Sequence, residues 1–118
     1  MRVQRKFRLT RSTDFKRVRR TGKSYAHPFV VLVVKNSETP RVRVGVTAGR
    51  SVGGAVQRNR AKRLLREAMR PLLLDLPPGW DLLLIARPAL LAKSLQEIRQ
   101  VLTSLLHHAR IIPLSNEI

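Results

Sequence analysis

All of the chain's net charge lies in its first 70 residues. Whatever those residues fold into must bury a core while displaying a large positive charge. Residues 1–70 hold 20 Lys or Arg against Asp14, Glu38 and Glu67, a balance of +17, whereas residues 71–118 hold four groups of each sign and balance to zero. Charge added for solubility alone is spread evenly; a one-sided block predicts a polyanionic partner. With 43% hydrophobic residues the chain is not a disordered basic tail, and its 118 residues are expected to form one domain, 1–118, with a basic arm at 1–11 and a tail at 111–118. It has no cysteine, which excludes disulfides and thiolate metal sites. The longest apolar runs, 29–34 and 82–86, fall far short of the roughly 20 residues that span a bilayer. Residues 1–11 are basic, but no apolar segment of a secretory signal follows them; the Arg-rich stretch 1–23 has the composition of a transit peptide as well as of an RNA-binding arm.

The pattern of apolar residues predicts the elements. Ser12 is placed to cap a short helix over about 13–20 that ends at Gly22, with Phe15 and Val18 on one face. Residues 29–34 form a β-branched run that reads as a buried strand, with a further short strand at 25–27. Residues 41–48 alternate: Val42, Val44, Val46 and Ala48 face one way, Arg41, Arg43, Gly45 and Thr47 the other. The short link between the last two strands predicts that they pair as antiparallel neighbours. A helix follows from about 55 to 74, with Pro71 expected to stop it near Arg70 or bend it. A buried strand at 80–87 includes Trp80 as a core residue. The final helix opens on the capping box Ser94-Leu95-Gln96-Glu97. The order α-β-β-β-α-β-α predicts an α+β fold, a two-layer α/β sandwich with helices on one sheet.

The helix beginning near residue 55 is divided by charge. At 100° per residue, Leu64, Leu65, Ala68, Met69 and Leu72 lie within roughly 80° of Ala61. Asn59, Arg60, Lys62, Arg63, Arg66 and Arg70 fill the opposite arc, Arg58 lies at the border, and Arg63–Glu67 is the one opposite-charge pair at i,i+4. Guanidinium forks in a row suit successive phosphates, and the Asn59 amide suits a base edge or a 2′-hydroxyl. The helix start, with Gly53 and Gly54, adds free N–H groups and a partial positive charge. No catalytic constellation appears. His107 and His108 are adjacent on a helix and cannot share a metal, His27 stands alone, and the acids are scattered.

The run Val52-Gly53-Gly54-Ala55-Val56-Gln57-Arg58-Asn59-Arg60-Ala61-Lys62-Arg63-Leu64-Leu65-Arg66 resembles the Arg-Asn-Arg block of the bacterial ribonuclease P protein subunit. The resemblance extends to Asp14-Phe15, Gly22 and Val44-Gly45-Val46-Thr47, in matching order over about residues 5–110. It implies a protein that binds a catalytic RNA and the single-stranded 5′ leader of precursor tRNA, and so assists removal of the leader. The RNA would hold the active site and most of the Mg²⁺, with no cofactor or catalytic residue on the protein and no protein partner required. It implies a bacterial, cytoplasmic setting and a ribosomal protein S5 domain 2-like fold with a left-handed βαβ crossover. By motif match, Arg58, Asn59, Arg60, Lys62, Arg63 and Arg66 would face the RNA subunit. Phe15, with Arg11, Lys16, Arg19 and Arg43, would line the leader cleft. Three positions depart from the family pattern: Arg19 stands where a second aromatic is common, Arg50-Ser51 where a basic pair is usual, and Val33 or a neighbour where the long strand often ends in an aromatic. The alternative from composition alone is a structural RNA-binding protein, such as a ribosomal protein.

Overall fold

A computed structural model describes residues 12–37 and 40–111. The chain runs α1 (Ser12–Thr21), β1 (Lys23–His27), β2 (Val30–Asn36), β3 (Arg43–Ala48), α2 (Ala55–Met69), β4 (Trp80–Ala86) and α3 (Leu95–His108), with short 3₁₀ helices at Arg50–Val52, Arg70–Asp75 and Pro88–Ala92. This is the expected α+β order. The helix α1 begins at Ser12 itself, so that residue is the first of the helix and not a cap outside it. The arm, with Arg11, and residues 112–118 lie outside the described residues.

The sheet order is β1-β2-β4-β3, and this corrects the expected pairing of β2 with β3. Strand β4 lies between them, antiparallel to β2 and parallel to β3. The reason is burial. Leu82, Leu83 and Leu84 are each at most 1% exposed and need cover on both faces and both edges, which only a central strand receives. Crossing over one strand means bridging roughly 10 Å, twice the interstrand spacing, and the residues between Asn36 and Arg43 span that easily. The unit β3–α2–β4 is thus the parallel βαβ crossover of the fold.

Alternation along the strands divides the core. Leu32, Val34, Val44, Val46, Leu82 and Leu84 face α2 and α3, where they meet Ala61, Leu65, Ala68, Ile98, Leu102 and Leu106. These form the two-layer sandwich. Val33 and Leu83 face the other way and pack under Val18, so α1 lies on the opposite face of the sheet from the other two helices. Trp80 is half-buried against the larger core.

Helix α2 stops at Met69, next to Arg70 where Pro71 is expected to end or bend it, and the chain tightens into the 3₁₀ helix with Pro71 in its first turn. A proline there lacks the N–H that an α-helix would require, while the first turn of a helix has no use for it. The capping box at α3 is formed. The Glu97 N–H donates to Ser94 Oγ at 3.1 Å, and the Ser94 N–H donates to Glu97 Oε1 at 3.1 Å. These bonds with Ser94 hold the Glu97 carboxyl below its ordinary value of 4.5. A lowered native pKa stabilises the fold above the unfolded value, so the contribution is full at neutral pH. It is lost as pH falls from 4.5 through the native value of Glu97. Ser94→Ala is expected to cost about 1 kcal/mol in urea unfolding at pH 7. Only the smaller share that comes from the carboxylate's interaction with the Ser94 hydroxyl should shrink toward pH 3, and no loss at pH 7 would contradict the cap.

The far end of α3 corrects the expected tail. Ile111 is 3% exposed and belongs to the core. Its N–H donates to the Leu106 carbonyl at 2.9 Å, and the Arg110 N–H donates to that of His107 at 3.0 Å. This is a Schellman closure with Arg110 at φ 60°, the left-handed position where glycine is usual. Ile111 supplies the accompanying apolar contact.

Candidate nucleic-acid interface

The ridge on α2 follows from the helical repeat. Ala61, Leu65, Ala68 and Met69 are buried, and Asn59, Arg60 and Arg63 are exposed on the other side. Lys62 and Arg66 are half-buried along the flank. Arg60, Lys62 and Arg63 make no hydrogen bond or ion pair among the described residues. Glu67 lies 3.9 Å from Arg70, one turn on, and Arg63 makes no ion pair among the described residues. Arg58 sits where the helical angle places it, at the edge of the apolar face, half-buried, with its Nε out of water and unpartnered among the described residues.

The start of α2 carries no side-chain cap on Gly54. Gly53 has φ 140°, a backbone conformation that favours glycine. Arg50 lies exposed in the 3₁₀ turn just before it. Ridge and helix start together form one basic surface along one side of the molecule.

The second surface is built by α1 and the sheet face beneath it. Cross-strand register places Ala26, Val31, Ile85 and Thr47 in one row across all four strands. The next row is Ser24, Val33, Leu83 and Gly45, and there Val18 of α1 packs down. Val31 and Ile85 remain half-buried, as does Phe15, which packs against the same small cluster. The result is a partly apolar groove beside α1, walled by Phe15 and floored by Val31, Ile85 and Thr47. Lys16 and Arg19 are exposed on α1.

One row further on, Lys35, Asp81 and Arg43 stand side by side. Asp81 is fully buried, the one buried charged side chain among the described residues. Arg43 grips it with two bonds, Nε to Oδ1 and Nη2 to Oδ2, both at 3.0 Å. Arg17 of α1 adds a third, Nη2 to Oδ2 at 2.7 Å. Asp14 closes the cluster, 3.5 Å from Arg17 and 3.6 Å from Arg43. The bond to Asp81 pushes the Arg17 pKa above its ordinary value, so this guanidinium is charged at every working pH. The polar face of β3 carries arginines and no acid of its own. The acid comes from the neighbouring strand, and Arg43 is engaged with it. The available signal was Asp81 itself, a lone carboxylate opening an otherwise apolar strand.

No helix among the described residues is long and apolar enough to cross a membrane. Nor do three His, Asp or Glu side chains among them gather closely enough to hold a metal ion.

Comparison with known proteins matches this arrangement. The family model described as Ribonuclease P covers residues 3–110. The ribonuclease P protein component of Herpetosiphon aurantiacus is 39% identical over 109 residues, 92% of this chain and 89% of that protein. That of Brevibacillus brevis is 37% identical over 111 residues, 93% of this chain and 88% of the other. Among solved structures, the RNase P protein of Staphylococcus aureus superposes with a TM-score of 0.78 at 27% identity, covering 90% of this chain and 97% of that one. The Thermotoga maritima protein gives 0.74 at 28%, covering 86% and 96%. Sequence and fold agree over nearly the whole length of both partners, and on that ground the chain belongs to the bacterial ribonuclease P protein family.

Proposed function

We propose that the two surfaces divide the labour of that family, the α2 ridge docking on the catalytic RNA and the groove beside α1 receiving the 5′ leader of precursor tRNA. As a ribonuclease P protein component the chain assists the RNA in processing that leader. The observation that carries the division is the ridge, where Arg60, Lys62 and Arg63 line one side of α2 without a partner among the described residues. Arginines in such a row meet phosphates as bidentate forks and release counterions from the RNA. Asn59 beside them can donate to or accept from a base edge. In the groove, the ring of Phe15 offers a stacking face to an unpaired base, while Lys16 and Arg19 draw the backbone in. Arg11, from the basic arm, is assigned to the same leader.

The protein's own contribution is positioning and charge neutralisation. Asp81 and Asp14 are each engaged by guanidinium groups and do not fit a protein-held Mg²⁺. The reaction's Mg²⁺ is assigned to the RNA subunit and the substrate, and the setting to the bacterial cytoplasm. Lowering the phosphate charge density with arginines reduces the cation concentration that RNA needs to hold its fold and its substrate. The protein, added to its cognate RNA, is therefore expected to let precursor tRNA be cleaved at lower Mg²⁺ and bound more tightly. A cleavage titration across Mg²⁺, with and without the protein, is the check. Unchanged cleavage and unchanged precursor affinity would leave a purely structural RNA-binding role.

A further inference from the structure

We propose that Asp81 is a positioning residue for the groove beside α1: its buried carboxylate, held by Arg17 and Arg43, fixes how α1 stands over the sheet and so sets the space open to the leader. The proposal rests on the assignment of the leader to that groove.

Three observations lead to it. First, Asp81 is fully buried, and both its oxygens are used, by one arginine from α1 and one from β3. A buried carboxylate stripped of its partners is strongly unfavourable, so the two arginines are held in place as firmly as the acid is. Second, Arg17 and Arg43 against Asp14 and Asp81 make a cluster with no net charge. In a region otherwise rich in unopposed cations, a neutral cluster adds little attraction for RNA; what it supplies is geometry. Third, the cluster lies along the same helix as the groove wall. Phe15, Lys16 and Arg19 are neighbours of Arg17 on α1, and the floor residues Val31, Ile85 and Thr47 lie two rows from Asp81 on the same sheet face. Val18 packs α1 onto β2 and β4, Gly22 brings the end of the helix against β2, and Arg17 and Asp14 tie the helix to Asp81 and Arg43. With the clamp released, only the apolar contacts of Phe15 and Val18 set the tilt of α1 over the sheet.

Arg43 is thereby part of the clamp, and its effect on leader binding passes through α1. The same holds for Arg17, whose bond to Asp81 is the shortest in the cluster.

The test uses the full-length protein with its catalytic RNA and two precursor tRNAs, one with a minimal leader and one with a leader of about five nucleotides, within the span a single-strand groove covers. Wild-type protein should favour the longer leader. Asp81→Asn, which keeps the shape and removes the charge, should lose most of that preference while its affinity for the RNA subunit alone changes little. Hydrogen exchange should speed up in α1 and stay slow in α3. Asp14→Asn, which leaves the short bonds to Asp81 in place, should show the same changes in weaker form and covers the case in which the Asp81 variant does not fold. A preference kept intact, or affinities for the two precursors lowered equally, overturns the proposal, as does unchanged exchange in α1. Wild-type protein that shows no preference for the longer leader overturns the groove assignment itself. Faster α1 exchange in Asp81→Asn would then still establish the clamp.

Discussion

Replacing Arg60 and Arg63 together with alanine is expected to weaken binding to the ribonuclease P RNA and to lower the slope of log affinity against log salt by about 2. Both side chains are exposed, and neither has a partner among the described residues, so their loss takes nothing from the fold. Alanine is the best helix former, and the neighbouring Ala61 and Leu65, both 0% exposed, keep α2 on the sheet. The change therefore isolates the electrostatic part of binding. Each arginine that neutralises a phosphate releases its condensed counterions, and the salt slope counts those contacts. Filter binding across a range of KCl at constant Mg²⁺ supplies the slope, and thermal unfolding should show a melting point close to wild type. An unchanged slope would mean that the ridge faces solvent in the complex. A slope that falls only with the long-leader precursor would move these residues to the groove.

The ridge was legible in the sequence because a helix is a local object. Its repeat fixes which residues share a face, and the division of Arg60 and Arg63 from Ala61 and Leu65 needs no knowledge of anything outside α2. The capping box at Ser94 and the stop at Pro71 are local in the same sense. The strand order was not. Nothing in residues 30–48 says that β4 will come between β2 and β3; that depends on which strand most needs two covered faces, a comparison across the whole chain. Asp81 was illegible for a related reason. Its partners lie 38 and 64 residues away, and only the sheet register and the seat of α1 bring them to it. Ile111 shows the opposite case, a local motif whose usual marker is missing: the left-handed residue of the Schellman closure is Arg110 where a glycine would have announced it.

Gly22→Ala is expected to destabilise the protein by about 1–3 kcal/mol, the range for forcing an extra methyl group into a packed site. The backbone at Gly22 does not require glycine for its φ, unlike Gly53 at 140°. What it lacks is room. A Cβ there would meet the Val18 carbonyl at 2.6 Å, Val33 Cγ1 at 2.7 Å and the Val34 carbonyl at 2.7 Å. Two of the three are backbone atoms, one on α1 and one on β2, so no rotamer change relieves the contact and the helix must move off the sheet. The 2.8 Å bond from the Gly22 N–H to the Val18 carbonyl, which closes α1, is strained by the same movement. At roughly 4 °C per kcal/mol for a chain of this size, the melting point should fall by about 4 to 12 °C. The damage falls on α1 and spares α2. The folded variant should therefore keep its affinity for the RNA subunit and lose the preference for a longer leader, the converse of Arg60→Ala with Arg63→Ala. Calorimetry and the two-precursor comparison read both effects. A variant as stable as wild type would show that α1 does not rest on β2 through Gly22. A stable loss of RNA-subunit binding with the leader preference intact would show that the two surfaces have been assigned the wrong way round.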